Sequence, residues 1–210
     1  ILVDCGMFQG GRRDETRNKK SPPVNYNTLN AIVLTHAHLD HCGRLPLVVR
    51  DGYRGPVYAT PATMDLVALV LRDSLKVQNS DLEKLNRTLS RKGKTRVKPL
   101  FDEADVEGAI SQMKPLPYHT PFAVAPGMEI TVDEAGHILG SGSLKLVVKE
   151  REKMKSVIFS GDLGAHGMPI VRDSEPFSEA DMVIMESTYG DRDHKPLQDT
   201  IDEAIGIIKS

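Results

Sequence analysis

A layered α/β sandwich is the fold class that this sequence predicts, and three observations point to it. Four short apolar runs each end in a polar residue able to do chemistry. Apolar stripes at helical spacing lie between some of these runs. Runs of this length, rich in Val and Ile, also suit strands buried on both faces, with function placed at the strand ends. Mixed strands with helices outside them favour stacked layers over a barrel.

In chain order, Ile1-Leu2-Val3 predicts a strand ending at Asp4, and Ala31 to Leu34 a second ending at Thr35-His36. Val57-Tyr58-Ala59 is a further strand. Thr60-Pro61 then supplies a helix cap and first-turn pair, followed by the stripe Met64, Val67, Ala68, Leu71 and Leu75. The polar stretch from Gln78 to Lys98, with Arg87, Arg91, Lys92, Lys94, Arg96 and Lys98, is expected to be a solvated surface loop. The alternative is a phosphate-contacting strip, and without interleaved aromatics base stacking is not indicated. Asp102 is the expected cap of a second helix that turns Val106, Ala109, Ile110 and Met113 inward. Strands are expected at Met128 to Val132, Leu144 to Val148, Val157 to Phe159 and Met182 to Met185. Leu197, Ile201, Ala204, Ile205 and Ile208 share one face of a final helix.

At 210 residues and 40% hydrophobic, the chain can bury the core of one sizeable domain. No apolar run approaches the length of a membrane span, so no membrane partner is expected. Ile1-Leu2-Val3 lacks the charged region that opens a signal peptide and reads as a strand caught mid-sheet. The absence of an initiator Met and the helical pattern at the end suggest a piece of a longer protein. Cys5 and Cys42 give no disulfide framework and fit a cytoplasmic location. Cys42 is expected to be a small buried thiol rather than a ligand. With a net charge of −2, a nucleic-acid partner would have to be held by local basic patches.

The most informative string is Thr35-His36-Ala37-His38-Leu39-Asp40-His41, with four metal-capable side chains in six residues directly after an apolar strand. His36 and His38, two apart on an extended segment, can face one ion. Asp40 and His41, past the bend, can reach another. Imidazole and carboxylate suit zinc, with manganese or iron as replacements. Among the other histidines, His137, in Gly136-His137-Ile138-Leu139-Gly140-Ser141, is the expected third ligand of the first ion. His119 and His166 are expected to be surface or core residues. Asp162, in Ser160-Gly161-Asp162-Leu163-Gly164, ends a buried strand without a cationic neighbour in sequence, and an ion partner explains it. A carboxylate can also bridge two ions. Two zinc ions about 3.5–4 Å apart would share a hydroxide and orient a phosphate for in-line attack, which is hydrolytic chemistry.

His36-Ala37-His38-Leu39-Asp40-His41 resembles the HxHxDH motif of the metallo-β-lactamase superfamily, with His137 and Asp162 at its next two ligand motifs. Asp4, in Leu2-Val3-Asp4-Cys5-Gly6, matches the first motif, whose aspartate orients the metal loop without binding the ion. Glu186-Ser187-Thr188-Tyr189-Gly190 is similar to the first signature of the β-CASP branch, the RNA- and DNA-processing nucleases of the superfamily. Leu2 to Gly10, Asp40 to Pro46 and Gly190 to His194 also look like that branch.

The resemblance implies a four-layer αββα sandwich over residues 1–190, lacking its N-terminal hairpin, and the start of a β-CASP domain over 191–210. It implies metal ligands His36, His38, Asp40, His41, His137 and Asp162, with Asp40, Asp162 and Glu186 catalytic. Glu186 would support the histidine that protonates the leaving group. That histidine and the last ligand of the second ion are expected downstream of residue 210. His194 and Ser141 are candidate substrate contacts. The expected function is a zinc-dependent phosphodiesterase that cleaves RNA by metal-activated hydroxide attack, with DNA and a homodimer left open. The alternatives are a small-molecule ester or thioester hydrolase and a non-catalytic scaffold subunit of an RNA-processing complex. A flavin-linked diiron oxygen reductase fits less well, because the second histidine of its motif is a glutamate and here it is His38.

Overall fold

The computed structural model describes residues 1–193 and 195–209, and the side chains of these except Arg12, Arg13, Glu15 and Leu197. In chain order the elements are β1 (Leu2–Val3), α1 (Arg12–Arg17), β2 (Ile32–Val33), α2 (Leu39–Cys42), α3 (Leu45–Arg50), β3 (Val57–Ala59), α4 (Pro61–Arg91) and α5 (Glu103–Ser111). They continue with β4 (Met113–Pro115), β5 (Phe122–Ala125), β6 (Met128–Glu134), β7 (Gly142–Glu150), β8 (Lys153–Phe159), β9 (Met182–Ile184) and α6 (Leu197–Lys209).

Two sheets form. The first is parallel throughout, in the order β1-β2-β3-β4. The second runs β5-β6-β7-β8-β9, antiparallel except for the last pair. Successive side chains of a strand point to opposite faces, and around β2 this divides the core. Ile32 and Leu34 pack with Val48, Val67, Leu71 and Val106 on the helix side. Ala31 and Val33 pack between the sheets with Leu116, Ile130, Val132 and Leu144. The mixed α/β class with two facing sheets is therefore as the sequence implied, and β2 is buried on both faces.

Several elements depart from expectation. Gln78 to Arg91 is not a loop: α4 continues through it as one helix of 31 residues, about 46 Å long. Neither Gly nor Pro interrupts the chain from Ala62 to Lys92, and Asp81–Lys84 and Glu83–Arg87 pair along the exposed face. The helix ends at Gly93, at φ 64, with the Lys94 N–H returning to the Leu89 carbonyl. Asn86 then pins the returning segment by exchanging two hydrogen bonds with the Val97 backbone. Met113 belongs to β4 rather than to the helix capped by Asp102, which stops at Ser111. That helix has a reciprocal capping box between Asp102 and Asp105. The run Met182 to Met185 is not buried on both faces, because β9 is the edge strand of its sheet and lies half-exposed.

Replacing Ile130, fully buried opposite Leu146, with Ala should destabilise the fold by about 2–5 kcal/mol. Asp102→Ala should cost only about 1 kcal/mol. Urea denaturation midpoints of the two variants will show whether this order holds.

Candidate metal centre

Each candidate residue leaves a strand at the same edge of the sandwich. Asp4 follows β1. Thr35, His36 and His38 follow β2, and Asp40 and His41 lie in α2. His137 sits in the turn between β6 and β7, Asp162 after β8 and Glu186 after β9. Several bonds hold the two sheets in register here. The Gly142 N–H donates to the Thr35 carbonyl at 2.9 Å, and the hydroxyls of Thr60 and Thr63 both donate to the Gly140 carbonyl, at 2.6 and 2.8 Å. Gly6 lets the loop after β1 lie against α2, where a Cβ at that position would overlap the Asp40 carbonyl.

Four atoms converge. His38 Nδ1 lies 3.1 Å from both His36 Nε2 and His137 Nε2. Asp162 Oδ2 lies 3.7 Å from His36 Nε2 and 3.5 Å from His137 Nε2. A tetrahedral zinc with bonds of about 2.0–2.1 Å would separate its ligand atoms by roughly 3.3–3.4 Å. The observed separations straddle that value. Proton counting points the same way, since His38 Nδ1 carries at most one hydrogen and cannot satisfy both neighbouring nitrogens. A cation at the centre accepts all the lone pairs, so the donor set fits zinc in number, type and spacing.

The electrostatics favour neutral rings at His36 and His137. Burial pushes His36 down to about 2, with the charges of His41, His38 and His137 adding to the effect. It is a neutral imidazole, and its approach to Asp162 is not an ion pair. Burial likewise lowers His137, opposed in part by Asp162 and reinforced by His38. Burial also acts to lower His41, but it is outweighed by the Asp4 hydrogen bond and by the charges of Asp4, Asp162 and Asp40, so this histidine is raised. His41 Nδ1 donates to Asp4 Oδ2 at 2.7 Å, and its Nε2 lies 3.1 Å from Asp162 Oδ1. The two oxygens of Asp162 thus face different histidines. Asp40 is exposed on the first turn of α2 and does not join a convergent group among the described residues.

Other expected residues fall into place around these. Glu186 Oε1 accepts from the Leu163 N–H at 2.8 Å, and its own N–H donates to Ser160 Oγ at 3.1 Å. Burial would raise the Glu186 carboxyl, but that bond and those to Thr188 prevail and lower it. Cys42 is buried, its thiol donating to the Ala37 carbonyl. Ser141 underlies the turn that carries His137. It is 1% exposed, and its Oγ accepts the N–H groups of His137 and Ile138, so it shapes the ligand turn from beneath. His119 and His166 are surface residues, His119 lying 3.4 Å from both Asp133 and Glu175. His194 lies outside the described residues.

The whole chain, residues 1–210, matches the Beta-lactamase superfamily domain model. The chain belongs to the β-lactamase superfamily. Ribonuclease TTHA0252 of Thermus thermophilus is 38% identical over 209 residues, which cover 100% of this chain and 43% of that protein. Transcription termination factor FttA of Methanosarcina mazei is 33% identical over 192 residues, 90% of this chain and 28% of that protein. Among solved structures, the Rm3 metallo-beta-lactamase aligns with 79% of this chain and 54% of its own, at a TM-score of 0.42 and 16% identity. The chain spans less than half the length of the curated relatives it matches. The superfamily resemblance read from the histidine string is borne out.

The sequence reading missed Thr35, Ser160 and the second role of Thr60. Each makes contacts with residues remote in sequence, and only the position of Thr35 directly before His36 hinted at a site role. In Ser141→Ala, two N–H groups of the ligand turn lose their acceptor, at an expected cost of about 1–3 kcal/mol. Chemical denaturation of the metal-free protein measures this. An unchanged stability would show that the Ser141 hydroxyl does not support the turn.

Proposed function

We propose that this chain is the metal-binding part of a zinc-dependent phosphodiesterase that cleaves RNA. The observation that carries the reading is the convergence of His36, His38, His137 and Asp162 at the spacing a tetrahedral ion requires. RNA as the substrate is supported by the 38% identity to a protein named a ribonuclease and by the Glu186-Ser187-Thr188-Tyr189-Gly190 string.

In this reading His36, His38 and His137 would hold the first zinc, Asp40 and His41 would help to hold a second, and Asp162 would serve both. When bound, such ions lower the pKa of water and polarise a phosphoryl oxygen. The remaining work is done by the chain itself. Asp4 holds His41 and the start of the metal loop through its carboxylate. Glu186 fixes the backbone directly after Asp162 and, by the resemblance, supports the group that protonates the leaving oxygen. Residues 1–190 would form the metal-binding domain and 191–210 the start of another. Helix α6 supports this division, since Ile201, Ile205 and Ile208 lie on one of its faces and are exposed. No described helix is long and apolar enough to cross a membrane.

In the full-length protein, His38→Ala and Asp40→Ala are each expected to abolish cleavage of 5′-labelled RNA while leaving the circular dichroism spectrum unchanged. Chelator-sensitive cleavage surviving in either variant would overturn the assignment. Discrete internal fragments would mark an endonuclease, and short labelled products an exonuclease.

A further inference from the structure

Thr35 makes more polar contacts in the site than its place in the sequence suggests. Its N–H donates to Asp4 Oδ1 at 2.8 Å, and its Oγ1 lies 2.8 Å from Asp4 Oδ2. The same Oγ1 lies 3.0 Å from His36 Nδ1 and 3.4 Å from His41 Nδ1. Its carbonyl accepts from Gly142, which opens the strand leaving the His137 turn. On the opposite side it packs on Gly161, the neighbour of Asp162. A Cβ at Gly161 would sit 2.8 Å from Thr35 Cβ, and Gly161 also holds φ 58, so both space and backbone favour glycine.

Counting protons along this chain of contacts leaves one consistent arrangement. An ionised carboxylate only accepts, so the contact to Asp4 consumes the single hydroxyl hydrogen of Thr35. Toward His36, Thr35 Oγ1 can then only accept, which puts a hydrogen on His36 Nδ1 and leaves the lone pair on Nε2. The 2.7 Å contact between Asp4 and His41 puts a hydrogen on His41 Nδ1 in the same way. One carboxylate, acting directly on His41 and through Thr35 on His36, thereby turns both Nε2 atoms toward Asp162, His41 Nε2 at 3.1 Å from Oδ1 and His36 Nε2 at 3.7 Å from Oδ2.

We propose that Thr35 is a positioning residue of the metal centre, its hydroxyl relaying Asp4 to His36 so that His36 offers Nε2 to the ion. The inference rests on the metal-dependent reading above. It goes beyond that reading by giving a role to a residue that does not touch the metal. Partners that orient a ligating histidine typically change metal affinity by about 10–100-fold when removed.

The test uses the full-length protein and its Thr35→Val, Thr35→Ser, Asp4→Asn and Thr35→Val/Asp4→Asn variants. Zinc affinity is measured by competition with a chromogenic chelator, and ligand geometry by the visible spectrum of the cobalt-substituted forms. Thr35→Val, similar in shape but without the hydroxyl, should bind zinc about 10–100-fold more weakly and weaken the tetrahedral cobalt bands. Thr35→Ser should restore both. The double variant should lose less than the sum of the single losses, because both changes cut the same relay. Melting curves of the metal-free forms identify any loss due to misfolding, and the serine variant reports on the hydroxyl in a fold that retains it. Wild-type affinity in Thr35→Val, or equal losses in the valine and serine variants, would overturn the relay alone. A wild-type protein that binds no zinc would overturn the metal reading and the relay with it.

Discussion

Three imidazole nitrogens and a carboxylate oxygen point at one small volume, and without a cation such groups repel one another. His38 Nδ1 is 3.1 Å from two other ring nitrogens and can donate to only one. The fold must hold this arrangement against its own electrostatics, so that metal affinity is built into the folded frame. That requirement explains why both sheets end at the same edge. Neither could supply the set alone, since His36 and His38 come from the first sheet and His137 and Asp162 from the second.

The frame is stiff where the ligands leave it. β2 is the inner strand of the parallel sheet that lies between β1 and β3, with helices on one face and the second sheet on the other. Asp4 turns out of β1 at φ 55, a left-handed conformation that Asp tolerates better than most residues. The turn sends its carboxylate back across the end of β2, where Thr35 and His41 bind it. On the other sheet Ser141 and Ser160 work in the same way, accepting backbone N–H groups beside His137 and at Glu186. Small hydroxyl side chains recur because they satisfy buried polar groups without filling the space the ion needs.

Away from this edge the structure is looser. The far half of α4, the edge strand β9 and α6 carry about half of the large exposed apolar side chains among the described residues, including Val77, Leu85, Val183 and Ile208. Burial is densest around β2 and the segments it contacts. The metal loop is therefore carried by the best-packed part of the molecule, as a site needing fixed geometry requires.

Much of this was legible in the sequence. Apolar runs and strand-end polarity located β2, β6, β7 and β8 and the strands that carry Asp4 and Glu186, although of the four runs expected to be buried on both faces only β2 is. The ligand types and their short-range spacing were readable because two residues apart on an extended segment means one face. The Gln78 to Arg91 stretch was misread because polarity resembles a loop until ion pairs and an uninterrupted backbone are weighed. Only the tertiary structure brought Asp4 to Thr35, 31 residues apart, and His137 to His38, 99 residues apart. Local pattern determines what a residue can be. Which nitrogens converge, and which hydroxyl lies against them, is decided by contacts between neighbouring strands and between sheets, and these leave no periodic trace in the chain.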